Sequence, residues 1–460
     1  VSETAAVRQT EERDDPLTPQ FVRQVIQALD RGDGDQVRAL IAPLRPADIA
    51  ELLDLMRSDE RRALVGMLGP ELKPEVLSEL EEAVRDEVIS LLAPGDIAQA
   101  LSEMDSDDAV YLLEDLDEEG QQEILGHMAA DERAALERAL EYPEDSAGRL
   151  MQRHLIAVPP FWDVGRTIDY MREAEDLPDE FYEIFVVDPA YKPVGTVPLY
   201  RVMRSKRPIK IADIMEDEQT LIRVDTDREE VARLFEKYDL ISAAVIDEND
   251  RLAGVITVDD IMEVISEEAT EDIRLMGGIV NEEAVGDSVF QTTRNRFSWL
   301  FINLLTAILA SVVIGLFDAS IQQMVALAVL MPIVASMGGN AGTQTMTVTV
   351  RSLATRELGP MNALRMVRRE ILVGLLNGVI FAVLMGAVGM LWFQDTELGL
   401  VIAAAMVINL IMAALSGILV PIALDKTGID PAVASSVFVT TVTDVVGFFA
   451  FLGLAAVWLF

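Results

Sequence analysis

A break in charge at Arg296 constrains this chain more than any other feature. Residues 296–460 carry eight acids and seven bases, whereas the 295 residues before them carry 69 acids and 30 bases. A net charge of −40 beside 51 % hydrophobic residues therefore describes two materials joined end to end, one acidic and soluble, the other nearly neutral and apolar. The acid excess repels nucleic acid and anionic lipid from the soluble half and favours cations. Ordinary acidic solubility accounts for the charge equally well when charge is taken alone. Cysteine is absent and only His127 and His154 are histidines. Disulfides, thiolate sites and His-rich zinc, copper or nickel sites are thus excluded. A bound cation must accept oxygen ligands, as Mg²⁺, Ca²⁺ and Mn²⁺ do. Residues 1–16 read as a polar, disordered tail without an apolar signal segment.

After Arg296, five apolar segments near 297–317, 323–350, 369–392, 398–424 and 432–459 are each long enough to cross about 30 Å of hydrocarbon. Arg351, Arg356, Arg365, Arg368 and Arg369 crowd the second loop and Lys426 lies in the fourth, while the first and third loops carry no base. The positive-inside rule then places the amino-terminal region in the cytoplasm and the carboxyl terminus outside. The second segment runs through Pro332 into Met337-Gly-Gly-Asn340-Ala-Gly-Thr-Gln-Thr345. Close helix packing accounts for the glycines. It does not account for Asn340, Gln344 and the threonines at membrane depth, which a water-filled path would. In the fifth segment Ser436, Thr440 and Asp444 recur every four residues and so share one helical face. Asp444 is read as the only acid inside the hydrocarbon part of a span, and no span carries a base in its middle to pair with it. A carboxylate at that depth costs on the order of 2.5–3.5 kcal/mol and points to function. A hydrated divalent ion is a suitable partner, drawn inward by about 4.6 kcal/mol per 100 mV. No GxxxxGK[ST] loop for nucleotide hydrolysis occurs.

The soluble half holds two repeats. Pro46-Ala-Asp48-Ile-Ala50 recurs as Pro94-Gly-Asp96-Ile-Ala98, with Leu53 and Met56 recurring as Leu101 and Met104, the pattern of stacked helical repeats. The Asp of each is most simply a helix amino-terminal charge or cap. Farther on, Phe185-Val-Val-Asp188 with Pro193-Val-Gly195 recurs as Ala244-Val-Ile-Asp247 with Leu252-Ala-Gly254, each preceded by an amphipathic helix. This tandem resembles cystathionine-β-synthase (CBS) domains, modules that often bind adenosine nucleotides. Thr257 and Asp260 match the Thr-x-x-Asp that such modules use for phosphate and ribose, and the first copy lacks that Asp. Next, Ile261, Ile265 and Ala269 trace an apolar stripe beside an acidic one of Asp260, Glu263, Glu267 and Glu271. A solvated face is the usual meaning of such a stripe. Gathered near other acids, it would instead demand cations for neutralisation.

With these parts in this order, the chain resembles the MgtE family of Mg²⁺ channels over residues 17–460. The most specific stretches are Tyr142-Pro-Glu-Asp-Ser-Ala-Gly-Arg-Leu-Met151, Thr257-Val-Asp-Asp260, Glu268-Ala-Thr-Glu-Asp272, Gly338-Gly-Asn-Ala-Gly-Thr-Gln344, Asp430-Pro-Ala432 and Thr440-Thr-Val-Thr-Asp444. The expected fold is a multi-domain membrane protein. It comprises a tail (1–16), an α-helical superhelical repeat domain (17–140), tandem CBS domains of α/β type (141–262), an acidic plug helix with linker (263–296) and a five-helix transmembrane domain (297–460). The resemblance implies a homodimer in the inner membrane whose pore is lined by the second and fifth spans, with Asp444, Thr440, Ser436 and Asn340 on the ion path. It also implies Mg²⁺ sensing by Glu75, Asp96, Asp227, Glu229, Asp239, Asp260, Glu263, Glu268, Glu271 and Asp272, with Asp430 at the membrane end, and ATP at the CBS pair. Two helical-domain positions where a family member carries acids are Gly95 and Gln99 here, with Asp96 between them. The contact between helical and CBS domains therefore has to use fewer ions or other acids. The competing readings are a Mg²⁺ exchanger coupled to Na⁺ or H⁺, a sensor with a vestigial anchor, and, weakest, an enzyme, for which no nucleophile–base pair is available.

Overall fold

The computed structural model describes residues 16–114, 116–174, 177–178, 180–279, 289–359 and 361–460. The expected disordered tail falls outside them apart from Pro16, as does the 280–288 part of the linker. The chain forms two compact units, one ending at Ser266 and one starting at Glu267.

The first unit opens with short helices from Pro19 to Leu140. Their repeat is a packing repeat: Leu53 and Met56, and likewise Leu101 and Met104, all enter one apolar core. Asp48 closes the helix Pro46–Leu55 by accepting the Arg45 N–H at 3.0 Å, so its capping role holds. Asp96 occupies the corresponding first turn of Pro94–Glu103, exposed to solvent.

Two three-stranded sheets follow, β1 (Ala157–Val158), β2 (Glu183–Val187), β3 (Pro193–Pro198) and β4 (Leu221–Arg223), β5 (Ser242–Ile246), β6 (Leu252–Thr257). In each the first pair is parallel and the second antiparallel. The copies exchange their leading segments. Gln152, ahead of the first copy, bridges Val255 of β6, while Glu216, ahead of the second copy, bridges Thr196 of β3. Glycine at equivalent strand positions permits both approaches. A Cβ on Gly195 would lie 2.7 Å from the Glu216 carbonyl, and one on Gly254 would lie 2.7 Å from that of Gln152. The stretch Tyr142–Met151 joins the helical domain to the second copy. Arg149 donates to Glu114 Oε2 at 2.7 Å and to the Leu140 and Tyr142 carbonyls. Ala147 and Gly148 donate their N–H groups to Thr226 and Val224.

The connecting helix runs Val258–Met276. Its expected apolar stripe needs correction: Ile261 is buried, but Ile265 is 47 % exposed and Ala269 is also exposed. Ile261 and Val264, three residues apart, fill the core of the second copy instead. Three-residue spacing suits a helix that touches its core through one turn and then leaves it. In the second unit this helix ends at Gly278, whose φ of +80° places it in the left-handed region while Ile279 N–H reaches back to the Arg274 carbonyl.

Five helices are long and apolar enough to cross a membrane, as the sequence leads one to expect: Val289–Gly315, Ala326–Ala354, Ala363–Phe393, Thr396–Lys426 and Pro431–Trp458. The fourth is the most covered by its neighbours. The third begins at Ala363, ahead of the apolar run near 369–392 that marks it in the sequence, and carries the buried Glu370 in its amino-terminal part.

Candidate functional site

The fifth span presents Ser436, Thr440 and Asp444 along one face, with Thr440 exposed and the other two partly covered. Thr440 donates its hydroxyl to the Ser436 carbonyl at 2.8 Å, spending the proton on its own helix and leaving oxygen lone pairs outward. Asp444 forms no hydrogen bond or ion pair among the described residues. The flank of the helix beside that face is closed: Val439 and Thr443 are fully buried and meet the second span at Gly342, where a Cβ would lie 2.6 Å from Val439 Cγ1. In the second span Gly338 and Gly342 face inward, whereas Asn340, Thr343, Gln344 and Thr347 lie on the uncovered side. Both helices thus pack through small or apolar residues and leave a carboxylate, an amide and hydroxyls open at membrane depth. Hydrocarbon cannot satisfy such groups, whereas water or a cation can.

At the start of the fifth span, Asp430 caps the helix by accepting the Ala432 N–H at 2.7 Å. Asp272, near the end of the connecting helix, has its carboxyl raised above the usual range by burial and then by the charges of Asp430 and Glu271. Leu275, one turn on, packs onto Met346 and Val350 of the second span and Ala432 and Val439 of the fifth. Three expected sensor residues, Glu271, Asp272 and Asp430, are therefore brought together where the connecting helix meets the two spans.

A second gathering forms in the soluble unit around Asp260. Its Oδ2 accepts from Thr257 Oγ1 at 2.7 Å and from Thr257 N–H and Gln152 Nε2 at 3.3 Å. Asp107, from the helix Ser106–Glu114, hydrogen-bonds the same carboxyl. Burial pushes Asp260 up to about 6, and burial together with Asp260, Asp105 and Glu263 pushes Asp108 up to about 7. Asp107 is raised well above its ordinary value by burial and by Asp260, and its Oδ1 is sealed from solvent with no partner among the described residues. Bringing these carboxyls together favours their protonated forms. Sequence reasoning missed Asp107 and Asp108. Both sit in the first turn of a helix, where an acid usually answers the helix dipole, and only folding carries them to Asp260. Gly95 is exposed and Gln99 bonds Glu103 at 3.0 Å, so the acids that face the second CBS copy come from the next helix.

The remaining expected sensor acids are dispersed within the single chain. Asp227 caps Arg228–Tyr238 by accepting the Glu229 N–H at 2.9 Å, and Asp239 ends that helix with φ +52°. Glu75, Asp96 and Glu229 are exposed in first turns, and Glu268 is partly covered. Among the described residues no three acids or histidines converge as a metal-binding group. Thr257 and Asp260 are bonded to each other, so a nucleotide using that pair would compete with Asp107 and Gln152.

Comparison with known proteins places these features. Residues 331–454 match a family model described as a divalent cation transporter, 44–145 match the MgtE intracellular N domain and 211–267 match the CBS domain. The magnesium transporter MgtE of Bacillus subtilis is 30 % identical over 77 % of this chain and 79 % of its own length. The chain belongs to the MgtE family. The magnesium transporter MgtE of Thermus thermophilus is 35 % identical over 70 % of this chain and 72 % of its own. The solved cytosolic domain of the Mg²⁺ channel MgtE in complex with ATP is 30 % identical and covers 53 % of this chain and 99 % of that domain, with a TM-score of 0.50. Like its family, the chain is a multi-pass membrane protein with CBS domains.

Proposed function

We propose that the protein is a Mg²⁺-selective channel that carries Mg²⁺ into the cell across the cytoplasmic membrane and is closed by Mg²⁺ on its acidic cytoplasmic domains. The observation that carries this reading is the open polar face of Ser436, Thr440 and Asp444, which has no basic partner among the described residues. In a homodimer two such faces meet across the axis, and their carboxylate, hydroxyl and carbonyl oxygens contact an ion that keeps most of its water, as suits the slow dehydration of Mg²⁺. Asn340 and its neighbours on the second span line the same path. The amino terminus lies in the cytoplasm and the carboxyl terminus outside, by the distribution of arginine in the loops.

Gating follows from the two acidic gatherings. At low internal Mg²⁺, repulsion between acids loosens the cytoplasmic domains and the connecting helix withdraws from the second and fifth spans. At high Mg²⁺, ions replace protons at Asp107, Asp108, Asp260 and Glu263 and bridge Glu271, Asp272 and Asp430, holding Leu275 over the mouth. Glu75, Asp96, Asp227, Glu229, Asp239 and Glu268 extend the set, where a second copy supplies the missing ligands. Binding to the closed arrangement shifts the population toward it. ATP at the CBS pair is a second input to the same equilibrium.

In proteoliposomes Asp444→Asn is expected to lose discrimination of Mg²⁺ from Ca²⁺ while the dimer stays intact. Unchanged selectivity would falsify the filter assignment. An exchanger would also use a membrane acid, but its flux would collapse without a Na⁺ or H⁺ gradient, whereas channel currents persist.

A further inference from the structure

The fourth span carries one polar side chain that the proposed ion path does not use. Asn409 lies midway along Thr396–Lys426 and is completely buried. Its Nδ2 donates to the Val334 carbonyl of the second span at 2.7 Å. Its amide is held between two glycines on different helices. A Cβ on Gly338 would lie 2.2 Å from Asn409 Nδ2, and one on Gly447 of the fifth span would lie 2.9 Å from the same atom. Asn409 Oδ1 is sealed from solvent and accepts no hydrogen bond among the described residues. Turning the amide over would set Oδ1 against the Val334 carbonyl, so the orphaned acceptor is inherent in the arrangement.

A membrane helix has no need of this side chain for packing. Leucine has the same branched arrangement of four side-chain heavy atoms, though it is bulkier, and would bury there without an unsatisfied acceptor. What the amide adds is a fixed gap. It touches the second and fifth spans at one level, and that level is one turn, about 4.5 Å of helix rise, from Asp444. Asn340 lies two residues beyond Gly338, on the opposite side of the same helix. Any change of spacing at Asn409 therefore displaces the open faces of both helices.

We propose that Asn409 is a positioning residue for ion selection, a wedge that sets the separation of the second and fifth spans and thereby the place of Asp444. The proposal rests on the reading of Asp444 as the selecting carboxylate. Asn409 touches no ion. It fixes the width at which a hydrated divalent cation meets the carboxylates, and the cost of its orphaned oxygen is retained for that geometry.

The test measures Mg²⁺ and Ca²⁺ flux through the full-length dimer in proteoliposomes for Asn409→Leu, Gly447→Ala and Asp444→Asn. Asn409→Leu is expected to keep the dimer and its thermal midpoint yet lower the Mg²⁺:Ca²⁺ flux ratio at least about threefold. Half-saturating Mg²⁺ should rise more than maximal flux falls. Gly447→Ala, which forces the same gap from the far side, should shift the ratio as well. If Asp444→Asn alters selectivity while both Asn409→Leu and Gly447→Ala keep the native ratio, the positioning role is overturned. If Asn409→Leu fails to fold and Gly447→Ala selects normally, the amide is purely structural and the proposal also falls. A silent Asp444→Asn would instead overturn the filter reading itself.

Discussion

Asp107, Asp108 and Asp260 show how burial and neighbouring like charge raise single carboxyls. Their folded values lie above the 3.8 of a free aspartate, with Asp260 near 6 and Asp108 near 7. Below about pH 4 folded and unfolded chains are alike protonated, and the docked arrangement is at its firmest. As pH rises from about 4 to 7 the unfolded chain releases these protons first, so stability falls and reaches its floor above pH 7. If the proposed sensing holds, Mg²⁺ acts in the opposite sense and restores stability most where the protons are gone. Thermal midpoints of residues 16–276 should trace this fall, and Asp108→Asn should flatten it while reducing the gain from added Mg²⁺. A variant with an undiminished pH slope and Mg²⁺ gain would exclude Asp108 from the cluster. The helical starting positions of these acids were legible in the sequence, but their meeting was not, because it depends on contacts spanning some 150 residues. Asn409 was hidden differently, as one amide within a long apolar run.

At the scale of elements, short-range chemistry was readable and exchange between repeats was not. Asp48 as a cap, the four-residue stripe of Ser436, Thr440 and Asp444, and the five spans all follow from local periodicity. The direction of the connecting helix's buried face did not, because Ile261 and Val264 engage a core whose other members come from Ala147, Met151, the helix Arg228–Tyr238 and the second sheet. Nor did repetition of the strands reveal that each sheet takes a bridging segment from ahead of a copy that is not the one expected from a simple tandem. Gly254 is the sensitive point of that bridge. Gly254→Ala sets a Cβ against the Gln152 carbonyl and is expected to destabilise the soluble unit by about 1–3 kcal/mol, read as a lower thermal midpoint. A wild-type midpoint would mean that the segment around Gln152 can yield.

For the whole molecule, acid excess and apolar spans form one device only if internal Mg²⁺ changes the state of the soluble region. Mg²⁺ should protect residues 16–276 from protease, and a chain lacking residues 1–260 should conduct without inhibition by internal Mg²⁺. Full inhibition in that truncated chain would remove the soluble acids from gating. The crossed arrangement of the CBS pair also limits how this protein can be divided. Gln152 completes the sheet of the second copy, although it precedes the first. A gene fragment cut between the copies would leave each half lacking one edge segment and holding another without its sheet, each inviting a foreign chain to repair it. Duplication made the two copies alike, but their shared seams make them heritable only as a set.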